Sequence, residues 1–237
     1  MSRSTKNAGF TIIEMVLAMA FLAFLLLAIA LITMQITRQY NHGLIVKDIN
    51  QLSRSLSDDL TRDITASRPF AIDADSTQYY NGSVSGRLCL GDYSYVWNYG
   101  TPISTGDNTL VKYDDGTVVR LARINDKTKR YCLKSGSDFV VTSVKKADAV
   151  ELLDQSDHDL AVDYFQVYSA DSASDTYTDE RLYTVDVTIS TNSDRNALTT
   201  DDYQGYRCKI DGEAGADPNY CVSQVFSLTA RAQHKLE

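Results

Sequence analysis

Residues 15–37 run for 23 positions without one charged side chain, and within residues 15–34 only Thr33 is polar. No other feature restricts the fold as strongly. At about 1.5 Å of rise per residue, twenty such residues make a helix of about 30 Å, the hydrocarbon thickness of a bilayer. Ahead of the run stands MSRSTKNAG, short and basic at Arg3 and Lys6. A secretory signal peptide has the same order of charged and apolar residues, but its apolar core is shorter and a small-residue cleavage site follows it. Here the chain continues ITRQYNHGL. A simple signal anchor fits better, yet it leaves Gly9, Phe10 and Glu14 unexplained. A carboxylate inside a span costs roughly 2.5–3.5 kcal/mol on insertion scales, so Glu14 demands a function. The positive leader keeps the N-terminus cytoplasmic and sets residues after about position 38 outside.

Beyond Thr37 the pattern turns amphipathic. Ile45, Ile49, Leu52, Leu56, Leu60 and Ile64 recur at intervals of three and four, one stripe of a helix. Arg54, Asp58 and Arg62 fall on the other side at i, i+4 spacing and are expected to pair there, while Asp59 and Asp63 sit nearer the stripe. No proline interrupts residues 10–68, and only Gly43 threatens continuity. The expectation is one helix of about 57 residues, roughly 85 Å long, ended by Ser67-Arg68-Pro69.

The remaining residues, 68–237, read as strands and turns. The stretch TLVKYDDGTVVRLAR (109–123) predicts a hairpin turning at Asp115-Gly116. Residues 181–190 alternate, with Tyr183, Val185, Val187 and Ile189 on one face. Residues 162–168 and 222–230 predict further strands, and the polar stretches 169–180 and 190–206 predict loops. The fold class is therefore α+β: a long N-terminal helix whose second half packs on an antiparallel β-sheet head. Four cysteines behind an export signal imply two disulfides in an oxidising compartment, and the absence of a Cys-x-x-Cys pair argues against structural zinc. Cys89, Cys132, Cys208 and Cys221 allow three pairings. Cys208–Cys221 is expected because it closes a short turn-rich loop, and Cys89–Cys132 follows.

The run GFTIIE from Gly9 to Glu14, leading into the apolar stretch, resembles the class III leader and N-terminal helix of type IV pilins and type II secretion pseudopilins. The resemblance implies that a prepilin peptidase removes residues 1–9 by cutting after Gly9, and that Phe10 becomes an N-methylated terminus. It divides the mature chain into a membrane and assembly half of the helix (10–37), an amphipathic half (38–67) and an extracytoplasmic head (68–237). Loss of Arg3 and Lys6 takes the charge from −8 to −10. It further implies that Glu14 neutralises the Phe10 amine of a neighbouring subunit, with other major and minor pilins, the pilus assembly platform and the inner membrane as partners. The chain would reside first in the cytoplasmic membrane with its head outside, then in a pilus or periplasmic pseudopilus. The helix end LTRDITASRP (60–69), the cysteine-bearing middle and the closing VFSLTAR (225–231) look like PilW-type minor pilins or J-type minor pseudopilins. Many major pilins carry helix breakers where this chain has Leu22 and Leu31, which favours a subunit of the initiation or tip complex. A major subunit, or an adhesin or DNA-capturing pilin whose head recognises a ligand, are the alternatives.

Other chemistry is thinly supported. A charge of −8 opposes bulk attraction to nucleic acid, leaving RLARINDKTKR (120–130), with Arg123, Lys127, Lys129 and Arg130, as the one basic candidate. Calcium could sit among Asp211, Glu213 and Asp217, or among Asp154, Asp157 and Asp159, although neither stretch has EF-hand spacing and solvated acidic loops are commoner. No cofactor is otherwise expected. His42, His158 and His234 are scattered and no G-x-S-x-G or H-E-x-x-H element occurs, so no enzyme is expected. Tyr79, Tyr80, Tyr93, Tyr95 and Tyr99 with Trp97 are candidates for a binding patch, though such residues more often fill a sheet core.

Overall fold

A computed structural model describes residues 11–72, 76–136, 138–153, 159–169, 180–201 and 205–233. Gly9, Phe10, Asp154, Asp157, His158 and His234 lie outside them.

The helix α1 (Ile12–Thr65) is continuous for 54 residues, about 81 Å. Gly43 does not interrupt it, since nothing lies within 4 Å of where a Cβ would stand and the local backbone is helical. The helix ends where Ala66 donates its N–H to the carbonyls of Arg62 and Ile64, just before Arg68-Pro69. Every described residue up to Tyr40 is exposed. From there the stripe of apolar positions is buried: Ile45, Ile49, Leu56, Leu60 and Ile64. The exposed first half is long and apolar enough to cross a bilayer, so the chain is compatible with a single-pass membrane anchor.

The head continues with β1 (Tyr79–Asn81), β2 (Ser85–Leu90), β3 (Tyr93–Asn98), a short helix α2 (Gly100–Thr105), β4 (Lys112–Tyr113), β5 (Leu121–Asn125), β6 (Lys134–Ser135), β7 (Asp138–Phe139), β8 (Ser143–Val144) and β9 (Ala149–Glu151). Then follow β10 (Leu160–Ser169), β11 (Glu180–Thr191), β12 (Leu198–Asp201), β13 (Gly205–Cys208) and β14 (Ser223–Gln233). Two main antiparallel sheets result, ordered β1-β2-β3-β5-β9 and β10-β11-β14, where the sequence suggested one. The cause is the two-residue alternation of β2, β3 and β5. Leu88, Tyr95, Trp97 and Leu121 face a core shared with α1 and the second sheet. Cys89, Val96, Ala122 and Ile124 face a separate core, closed by Val111, Val119, Tyr131 and Val144 from the excursion that carries β4 to β8. Stacked rings tie the layers together: Trp97 on Phe165 at 4.0 Å joins the two sheets, and Tyr183 on Phe70 at 4.1 Å holds the segment after α1 to the second sheet.

Three local expectations are corrected. The turn at Asp115-Gly116 forms, with Tyr113 N–H donating to Thr117 O at 2.8 Å and Gly116 at φ 85°. The hairpin continues through an antiparallel Lys112–Val118 bridge to Val119 N–H donating to Val111 O at 3.1 Å, but goes no further. Lys112–Tyr113 pairs in parallel with β8, and β5 leaves to join β3 and β9, because Leu121, Ala122 and Ile124 are buried in the five-stranded sheet. The polar stretch 190–206 contains the end of β11 and all of β12, and β13 begins at Gly205. The β12–β13 hairpin is held by a small cluster of Ala197, Leu198 and Cys221. On α1, Arg62 bonds to Asp59 rather than to Asp58, since the i, i+3 partner lies closer on this face.

Candidate functional site

The helix start is the first place to look. Thr11 is the N-cap of α1, in extended backbone, and Glu14 is the third helical residue. Thr11 N–H donates to Glu14 Oε2 at 2.9 Å, Thr11 Oγ1 donates to the same oxygen at 3.0 Å, and Glu14 N–H donates to Thr11 Oγ1 at 3.4 Å. This reciprocal pair satisfies backbone donors that the first turn of any helix leaves open, and it places a carboxylate at the positive end of the helix dipole. Glu14 thus has an intramolecular role that sequence reasoning passed over. The signal was there: T11-I-I-E14 is a Thr-x-x-Glu capping box directly before an apolar run.

Where α1 meets the head, a second cluster forms. Asp63 is buried and accepts from Arg123 Nε at 2.8 Å, Arg123 Nη2 at 2.9 Å and Tyr95 Oη at 2.7 Å. The Arg123 guanidinium lies 3.4 Å from the Tyr93 ring centroid. Burial opposes the charge on Arg123, yet hydrogen bonds and charge attraction from Asp63 and Tyr95 together outweigh it and hold the guanidinium above its ordinary value. Burial, reinforced by Asp63, pushes the Tyr95 phenol up.

This arrangement dissolves the basic candidate patch. Arg123 is turned inward and spent on Asp63. Arg130 lies 4.0 Å from Asp126 and 3.7 Å from Asp148. Lys129 is half-buried, and burial followed by the nearby charge of Arg68 lowers its pKa. Of the four, only Lys127 is fully exposed. The acidic loop is equally dispersed. Glu213 accepts from Ile210 N–H at 2.8 Å and Asp217 from Asn219 N–H at 3.2 Å, while Asp211 points to solvent. Asp159 is bonded to Arg120. Among the described residues no three His, Cys, Asp or Glu side chains converge as metal ligands.

The disulfides are Cys89–Cys132 and Cys208–Cys221. The first ties β2 to the turn before β6 inside the second core, and the second clamps β13 to the start of β14. Of the aromatic candidates, Trp97, Tyr95 and Tyr79 are core residues, whereas Tyr80, Tyr93 and Tyr99 are half-buried. His42 is half-buried on α1, with no second described histidine beside it.

The chain matches no protein-family model, no curated protein and no solved structure.

Proposed function

We propose that this chain is a pilin-like subunit of a helical filament drawn from the cytoplasmic membrane, incorporated as a minor component of its initiation or tip complex. One observation carries the reading: a single unbroken helix is bare and apolar for its first thirty or so residues, packed on a folded head for the rest, and bears Glu14 where the bare half begins. A bare apolar half of that length suits a bilayer first and a bundle of similar helices from other subunits later. After cleavage behind Gly9, the amine of Phe10 would adjoin Thr11, so a carboxylate held by its own helix start can exchange that partner for the amine of a neighbour. Opposite charges attract more strongly in the low dielectric of a membrane or helix bundle than in water. The resemblance of GFTIIE to the class III leader supports the same processing.

The test is peptide mass spectrometry of sheared, purified filaments from cells that make the protein. A peptide beginning at N-methylated Phe10, present at a small fraction of the dominant subunit, is the expected result. The same peptide as the most abundant species would make this the shaft subunit. A chain still beginning at Met1 and confined to the membrane fraction would overturn the proposal in favour of a plain anchor.

A further inference from the structure

Four arginines of the head are largely buried, and three of them have a carboxylate: Arg120 meets Asp159, Arg123 meets Asp63, and Arg195 meets Asp163. Arg87, on β2, is 3% exposed and has none among the described residues. Both of its hydrogen bonds leave from Nη1, to the carbonyls of Tyr131 at 2.5 Å and Val141 at 2.8 Å, and its buried Nε has no partner. Burial pushes its pKa down to about 10, and the groups that oppose this are the phenols of Tyr80 and Tyr131. A buried charge without a counter-charge is costly, and folds usually pair it or neutralise it.

Arg87 forms part of the wall of a cleft of about 630 Å³, within the size range of small-molecule sites. Its other walls are hydroxyl and amide groups, Ser83, Asn108, Thr109 and Thr142 among them, together with the rings of Tyr80 and Phe139. These rings meet edge to face at 5.0 Å. Phe139 covers the face of the guanidinium at 3.7 Å, and the Lys134 ammonium lies 4.7 Å from the Tyr80 ring. None of the described side chains that line the cleft is acidic, in a chain that carries 31 acids against 23 bases. Asp107, beside the rim, is occupied by the N–H and hydroxyl of Thr109 at 2.7 and 2.6 Å.

We propose that this cleft binds a carboxylated sugar, whose carboxylate pairs with the Arg87 guanidinium at Nη2 while its ring lies beside Tyr80 and Phe139. A guanidinium N–H gives a carboxylate a charge-assisted hydrogen bond, and a shift of Arg87 toward the cleft would add a second, parallel one from Nε. Stacking by Phe139 occupies a face of the cation, so an anion approaches in its plane, at Nη2. Aromatic faces accept the C–H side of a pyranose ring, and the hydroxyl and amide walls suit its ring hydroxyls. Lys134, held over the Tyr80 ring, adds a second positive charge nearby. The site does not depend on the filament reading; a membrane-anchored head of any role would carry it.

The test is calorimetric titration of the full chain in detergent micelles with galacturonate, glucuronate and N-acetylneuraminate, against neutral galactose and glucose, with acetate and inorganic phosphate as competitors. At least one carboxylated sugar should bind at least tenfold more tightly than the neutral sugars. Arg87→Lys should weaken it tenfold or more, and Lys134→Gln, at an exposed position, a few-fold. If Arg87→Lys fails to fold, Phe139→Leu and Lys134→Gln carry the comparison. No binding by any carboxylated sugar, equal binding by the neutral ones, or equal competition by acetate or phosphate would each overturn the proposal.

Discussion

Arg123 on β5 and Asp63 near the end of α1, sixty residues apart, meet in a two-pronged pair at 2.8 and 2.9 Å. Tyr95 from β3 completes the contact by donating to the same carboxylate at 2.7 Å. The pair sits in the last turn of the long helix, where its C-terminal end packs on the five-stranded sheet, so the angle between helix and head is set by a buried ionic contact as well as by apolar packing. Breaking one partner of such a pair leaves an uncompensated buried charge.

Asp63→Ala should therefore destabilise the head by about 3–5 kcal/mol. Asp63→Ala combined with Arg123→Met should cost less than the single change, because the double variant strands no charge. Urea unfolding of the full chain in micelles measures both. A loss below about 1 kcal/mol for Asp63→Ala would assign the docking to the apolar stripe alone.

Gly86 on β2 stands opposite Trp97 on β3, and a Cβ at Gly86 would lie 2.1 Å from the Trp97 ring. Gly86→Ala must push the indole off its stack on Phe165. The expected cost is about 1–3 kcal/mol. Trp97 is the only tryptophan of the chain, so its fluorescence reports the displacement directly. An unchanged emission spectrum and unchanged stability would mean that the strands separate at no cost.

The disulfides should differ in weight. Cys208–Cys221 spans 13 residues and Cys89–Cys132 spans 43, so the chain-entropy account gives about 3 and about 4 kcal/mol. Cys89 and Cys132 are also buried in the second core, so replacing that pair by alanine adds a packing loss. Denaturation midpoints of the two double-alanine variants should fall in that order, with the reverse order counting against the core placement.

Apolar periodicity made much of this architecture legible. The stripe from Ile45 to Ile64 and the alternation of Tyr183, Val185, Val187 and Ile189 each report on one element against one buried face, and both appear in the structure. The β12–β13 hairpin was hidden because its stability comes from Cys208–Cys221 and a small cluster rather than from an apolar pattern of its own. Asp63 looked like a flaw in the stripe; its partner Arg123 is distant in sequence and looked like a surface base, and only the fold brings them together. Arg87 gave no signal at all, since an arginine between Gly86 and Leu88 in a strand reads as an exposed position until the excursion from β4 to β8 covers it.

Alkaline pH should unfold the head. Burial raises the phenols of Tyr79, Tyr95 and Tyr113 and pushes Tyr99 up to about 12, from an ordinary 10.0. The folded state keeps these protons where the unfolded chain loses them, so their stabilisation is fully present below about pH 10 and is lost as pH rises above it, by up to about 1.4 kcal/mol per unit for each phenol. Arg87, with its pKa depressed to about 10, and Lys129, lowered by burial, act in the opposite sense, two groups against four phenols. Tyrosinate absorbance should appear together with loss of the far-ultraviolet circular dichroism signal. Ionisation of these phenols in a head that keeps its secondary structure would contradict their burial.

The last prediction separates the two roles available to Glu14. Its carboxylate accepts from the backbone N–H and the hydroxyl of Thr11, which a glutamine oxygen can also do, so Glu14→Gln keeps the cap and removes the charge. Glu14→Ala removes both, at roughly 0.5–2 kcal/mol of local helix stability if the loss resembles that of other caps. Neither change adds a polar burden to the span, so both variants should insert into the membrane at the level of the unaltered protein. If the charge is what a neighbouring Phe10 amine recognises, both should be absent from sheared filaments. If Gln enters filaments and Ala does not, Glu14 acts through the geometry of its own helix start, and the proposed exchange of partners between subunits is wrong. Immunoblots of the membrane and filament fractions for the two variants, side by side, decide between them.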